Sequence, residues 1–96
     1  MIVSFADQAT EDLFHGIVRL RRERFPRDIV AVALRKLDML NGAVALPDLS
    51  SPPGNRLKRL HGELEGLHSI RVNDQWRLVF RWVGSDAHDV RLVDYH

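Results

Sequence analysis

Apolar residues along this chain keep one spacing as far as Leu40 and another from Leu57 onward. The first recurs every three or four positions, as one face of a helix requires, and the second alternates, as a half-buried strand requires. Helices that come first and strands that come last each hide their apolar side best against the other, so a two-layer α+β domain is the economical fold. With 96 residues and no cysteine, the chain forms a single domain, 1–96. Its stability must come from packing or from a partner, not from disulfides or thiolate-bound metal.

Ile2, Val3 and Phe5 read as a short first strand, followed by Asp7 or Thr10 as the cap of a first helix. Ala9, Leu13, Ile17 and Leu20 form its inward stripe, beside Phe14, while Asp12, His15 and Arg19 face water. Phe25-Pro26 breaks the pattern, and Pro26 suits the opening of a second helix, where a backbone N–H has no partner anyway. Val30, Ala33, Leu34, Leu37 and Leu40 give that helix an apolar face, and Asn41-Gly42 supplies its stop. Residues 48–54, containing Ser50-Ser51-Pro52-Pro53, read as a rigid loop. Beyond it, Leu67 and Ile70 lead to Val72, and Asn73-Asp74 makes a hairpin turn. Trp76, Leu78 and Phe80 share one strand face opposite Arg77, Val79 and Arg81. A further turn at 84–86 precedes a last strand over 89–94. The expected architecture is two N-terminal helices packed on a curved, mainly antiparallel sheet.

The net charge of +1 hides a division: residues 1–18 carry three acids and no lysine or arginine, whereas 19–27 carry five arginines against Glu23. A local positive field at Arg19, Arg21, Arg22, Arg24 and Arg27 attracts RNA or an acidic protein segment where overall charge would not. Its plain alternative is a solvated helix end. Asp7 interrupts the first residues too early for a signal peptide, and no apolar run approaches the roughly 18 residues of a spanning helix. An intracellular, cytoplasmic protein without membrane contact is expected.

The sequence closes on Asp94-Tyr95-His96, directly after the alternating run Val90, Leu92. A strand holds such groups in fixed places, and proton transfer depends on placement before it depends on pKa. In an extended strand Asp94 and His96 share a face while Tyr95 points away from both. Upstream, Lys58, Arg59, Arg71, Arg77 and Arg81 interleave with apolar positions and suggest a phosphate-rich partner. His61, His68, His88 and His96 lack any metal-ligand spacing, and Gly62 and Gly66 lack the strand, glycine loop and helix of a nucleotide site. No metal or other cofactor is expected.

Several segments together resemble the HigB-type killer toxins of plasmid-maintenance loci, within the RelE/ParE-like superfamily. They are Pro52-Pro53-Gly54-Asn55-Arg56-Leu57, Leu60-His61-Gly62-Glu63-Leu64-Glu65-Gly66, the stretch from Ser69 to Phe80, and Asp94-Tyr95-His96. The resemblance implies a small endoribonuclease that enters the A site of the 70S ribosome and cuts messenger RNA during translation. It also implies a HigA-like helix-turn-helix antitoxin as partner, with operator DNA bound only through that antitoxin. Residues implicated in cleavage fall on Asp94, Tyr95 and His96, with Arg77 in the basic sheet. Where the best-described members have a histidine, this chain has Lys58.

Metal-independent RNA cleavage needs an acceptor for the 2′-hydroxyl proton, positive charge beside the phosphorus and a donor for the departing 5′-oxygen. His96 is the acid or base of choice because imidazole titrates near neutrality. A carboxylate ending the chain would favour its charged form, hence the general acid. Asp94 orients it or accepts a proton itself, and Tyr95 stacks on a base if a twist turns its ring inward. Lys58 and Arg77 clamp the scissile phosphate, with Lys58 alternatively the base if its neighbours lower its pKa. Arg59, His61, Arg71 and Arg81 either contact RNA or solvate the sheet, and the terminal tripeptide alone reads more readily as a frayed polar tail, a reading that the whole motif set displaces. Two other readings stay open. One is a non-enzymatic toxin of this fold that blocks DNA gyrase, which has no need of the tripeptide. The other is a passive RNA-binding module, which tolerates loss of His96.

Overall fold

The computed structural model describes residues 1–17 and 25–95, so Arg19, Arg21, Arg22, Arg24 and His96 lie outside the described residues. Within them the chain forms α1 (Gln8–His15), α2 (Arg27–Gly42), β1 (Lys58–Arg59), β2 (Leu67–Arg71), β3 (Trp76–Val83) and β4 (Asp86–Asp94). Short 3-10 turns at Leu46–Ser50 and Pro53–Asn55 link α2 to β1, and another at Gly62–Leu64 lies between β1 and β2. The strands pair antiparallel as a meander in the order β1-β2-β3-β4. Both helices cover one face of it, the α+β arrangement that the change of period implies.

Asp7 caps α1, its Oδ1 accepting from the Thr10 N–H at 2.8 Å. Gly16 ends the helix in the left-handed region at φ 71°. There the Gly16 N–H reaches the Leu13 carbonyl at 3.2 Å, and the Ile17 N–H reaches that of Asp12 at 2.8 Å. α1 is therefore shorter than its apolar stripe suggested: Ile17 lies beyond the end, 48% exposed, and Leu20 is outside the described residues. Asp12, expected in water, is buried, with its Oδ1 accepting from Gln8 Nε2 at 2.9 Å. Docking on β4 turns this face inward, because buried Thr10 accepts the Leu92 N–H on its Oγ1 at 3.0 Å.

α2 follows Pro26 as expected and buries Ile29, Ala33, Leu37 and Leu40, while Val30 and Leu34 remain half-buried. The inward face thus starts one residue earlier than the sequence reading placed it, and it includes Lys36. These side chains meet Ile70, Leu78, Phe80, Ala87, Val90 and Leu92 from the sheet, with Leu49 closing one end. Trp76 is only half-buried, its ring edge-on to Phe25 at 5.7 Å.

The first residues do not form the strand their composition suggested. Ile2 and Phe5 make isolated parallel bridges to Ala87 and Val90, which cover the outer edge of β4. Pairing is interrupted between them where β4 bulges: its register against β3 shifts between Val79 and Arg81, and Asp89 takes φ 54°. Ser4 accepts the Asp89 N–H on its Oγ at 2.8 Å there. β4 itself begins at Asp86, three residues before the expected start. Among the described residues, no helix is long and apolar enough to cross a membrane.

Candidate functional site

Leu78 and Phe80 point at the helices, so strand alternation sends Arg77 and Val79 to the opposite face, where Val79 is buried and Arg77 half-buried. Register then sets their neighbours. Lys58, Ser69, Val79 and Arg91 lie in one row across the four strands, and Arg71, Arg77 and Val93 in the next. Pairing continues one residue past β4, where the Tyr95 N–H donates to the Gln75 carbonyl at 2.6 Å. Tyr95 therefore joins the Arg77 face while Asp94 takes the other.

Lys58, Arg77 and Tyr95 converge on this surface. The Lys58 ammonium lies 5.7 Å from the Tyr95 ring centroid and the Arg77 guanidinium carbon 5.8 Å from it, both within cation–π range. Arg77 is held rather than waving: Nε donates to Ser69 Oγ at 2.9 Å and Nη2 to the Arg56 carbonyl at 2.7 Å. Ser69 is fully buried, so one of these acceptors belongs to the sheet itself. Burial pushes the Arg77 pKa down, Tyr95 opposes this, and Arg71 and Arg56 add to the lowering. A guanidinium starts so high that it stays charged at neutral pH. The result is an anchored cation with Nη1 and one Nη2 hydrogen left for an anion.

Asp94 does not stand with these cations. It accepts from Gln75 Nε2 at 2.9 Å and lines a cleft of about 280 Å³ on the helix side, with Asp7, Phe25, Trp76, Leu92 and Val93. Tyr95 points away from Asp94, as alternation implies, but it is Tyr95 and not Asp94 that stands with the cations, while Asp94 ties down the end of the strand. His96 is outside the described residues. Arg71 is ion-paired with Asp74, and Arg81 with Asp89 at 3.2 Å, so both are engaged at the two ends of the sheet. Arg59 and His61 are exposed at the β1 edge, and Arg27 opens α2 on the surface. Arg19, Arg21, Arg22 and Arg24 cannot be placed, being outside the described residues. Among the described residues, no group of three or more His, Cys, Asp or Glu is arranged to hold a metal ion.

Ser69, Arg56 and Gln75 were not read as site residues. Ser69 is a small polar residue between His68 and Ile70 in a strand, and its complete burial shows only in three dimensions. Arg56 contributes a carbonyl, which no side-chain pattern reveals. His68 lies on the helix-facing side, stacked on Phe80 with ring centroids 6.2 Å apart. Among the described residues its buried Nδ1 has no hydrogen-bond partner, and burial, then Arg59, pushes its pKa below the ordinary histidine value.

Helices packed on one side of an antiparallel sheet give the RelE/ParE-like α+β fold. In keeping with that class, the chain aligns over 100% of its length with 95% of a chain in the YoeB-YefM complex from Staphylococcus aureus, at a TM-score of 0.57 and 19% identity. That likeness concerns the fold. Toxin HigB-1 of Vibrio cholerae serotype O1 is 43% identical over 87 residues, covering 91% of this chain and 90% of that protein. Endoribonuclease HigB of Proteus vulgaris is 30% identical over 71 residues, covering 68% of this chain and 77% of that one. Residues 3–96 match the HigB-like toxin family, described as the RelE-like toxin of type II toxin-antitoxin system HigB. The chain belongs to this family.

Proposed function

We propose that this toxin is a ribosome-dependent endoribonuclease of the cytoplasm that cleaves messenger RNA under translation, without a cofactor. The observation that carries the reading is the pair of cations, Lys58 and Arg77, set against the Tyr95 ring on the sheet face away from the helices. Such a face offers a flat aromatic group for a nucleobase and fixed positive charge for the adjoining phosphate. Arg77 grips one non-bridging oxygen through its remaining N–H groups, and Lys58 neutralises the charge that builds on phosphorus. The 2′-oxygen attacks phosphorus as its proton passes to a base. The bond to the 5′-oxygen breaks, and that oxygen takes a proton from His96, the residue whose chemistry best suits the role, which requires the chain to leave strand alternation after Tyr95 and turn to the Arg77 face. Tyr95 stacks and orients, and Asp94 fixes the strand end from behind. Arg59 and His61 extend the RNA track along the sheet edge, with Arg71 and Arg81 at its ends.

The described surface is too small to read a long sequence, so the ribosome supplies most of the substrate geometry. The basic run Arg19, Arg21, Arg22, Arg24 and Arg27 serves either ribosomal RNA or the antitoxin, a HigA-like helix-turn-helix protein that alone contacts operator DNA. Similarity to Endoribonuclease HigB of Proteus vulgaris supports the nuclease assignment. Induction of wild type, H96A, K58A and R77A, with mapping of message 5′-ends in cells and in a purified translating system, tests it. The expected result is new 5′-ends on translated message from wild type, few from the variants, and little cutting of the same RNA without ribosomes. Growth arrest with no new 5′-ends, in wild type and H96A alike, would replace the nuclease by a blocking toxin.

A further inference from the structure

We propose that Asn55 is a positioning residue for Arg77, acting through the Arg56 carbonyl and anchored from within the protein by Lys36. The functional consequence rests on the ribonuclease reading, whereas the geometry stands without it.

Asn55 is completely buried, and both ends of its amide are occupied. Its Oδ1 accepts from Lys36 Nζ on α2, while Nδ2 donates to the Leu49 carbonyl at 3.1 Å and the Ser51 carbonyl at 3.3 Å. One side chain thus ties the long helix to the 3-10 turn at Leu46–Ser50 and to the segment that enters β1. The next residue, Arg56, takes φ 44° and ψ 56°, a region that residues with a Cβ seldom adopt. Its N–H donates to the Pro53 carbonyl at 3.1 Å, and its own carbonyl receives Arg77 Nη2. An unusual backbone conformation persists where its surroundings over-determine it, and Asn55 is the buried group that does so here.

Lys36 strengthens the case. It is only 8% exposed on an otherwise apolar helix face, and burial together with Arg35 and Arg71 disfavours its charged form. An aliphatic residue would fill that site without desolvating an amine. The bond to Asn55 gives the lysine a purpose that packing does not. Arg77 in consequence has two fixed acceptors, Ser69 on the sheet and Arg56 on the loop, and only the second depends on Asn55.

The test is a double-mutant cycle of N55A, R77A and the double variant in single-turnover cleavage on translating ribosomes, with ribosome affinity measured in parallel. Proton exchange at Arg77 Nη2, the nitrogen that donates to the Arg56 carbonyl, read by NMR on the free toxin, gives a measure independent of catalysis. N55A is expected to slow cleavage by about tenfold or more, with affinity held within about twofold. In the R77A background the same change should cost less than about twofold, because the group it positions is already gone. The Arg77 Nη2 hydrogens should exchange faster in N55A. Losses that multiply independently, or unchanged Nη2 exchange, would overturn the proposal. If wild type cleaves nothing, the ribonuclease reading fails while the exchange measurement still decides the positioning role. Should N55A not fold, K36M, which removes only the anchor, is expected to speed Nη2 exchange, and no change there would equally reject the link.

Discussion

Arg77 shows how much a single side chain at this site depends on directed bonds and not on charge alone. Two of its donors are spent on Ser69 and on the Arg56 carbonyl, which orients the remaining N–H groups. Lysine would keep the charge and lose both anchors. R77K is therefore expected to reduce cleavage by roughly ten- to a hundredfold while ribosome binding persists, measured as single-turnover rate against affinity. His68 offers a second prediction, on stability. Its folded pKa lies below the unfolded value of about 6.5, so the folded state favours neutral imidazole. The unfolded chain then binds the extra proton first, and stability falls as pH drops from about 6.5 toward the lowered folded value. In urea titrations at about pH 7.5 and pH 5, H68L should lose less stability on acidification than wild type. An equal loss in both would assign the acid sensitivity to other groups.

At the scale of elements, short helices and strands here are fixed by their ends. α1 is eight residues long and closed at one end by the Asp7 cap and at the other by the left-handed Gly16. So short a helix is marginal without such help. D7A is expected to lower the unfolding free energy by about 0.5 to 2 kcal/mol, read as a shift of the urea midpoint at unchanged slope. The sequence announced this cap and the Pro26 entry to α2, because both act on their immediate neighbours. The end of α1 was less legible: Gly16 stands inside an apolar stripe that continues to Ile17 and Leu20, and periodicity alone reads through it. β4 was foreshortened for a related reason. Its bulge at Asp89 breaks the alternation, and a turn-like residue in mid-strand reads as the strand's beginning.

For the whole molecule, the sheet must hide its outer edge as well as its helix-facing side. Residues 1–5 do so for β4, through backbone bonds between Met1 and Ala87, Val3 and Ala87, and Ser4 and Val90. Deletion of residues 1–5 should lower the thermal midpoint and yield higher-order species in size-exclusion chromatography, since an opened edge strand recruits another chain. A monomer of unchanged midpoint would show that the edge needs no cover. The sequence by itself determined the two helices, the longer strands that follow them and the face each residue of β3 occupies, because these follow from local periodicity, and it carried the family motifs. It also placed Lys58 and Arg77 on strands that register could bring together. Only the tertiary structure decided that Tyr95 meets those cations, that Asp12 is buried, and that Asn55 and Lys36 bond across the core. These outcomes depend on register, on helix docking and on pairs far apart in the chain, such as Lys36 with Asn55. Such pairs form only when the whole chain has closed on itself, so no stretch of sequence taken alone encodes them.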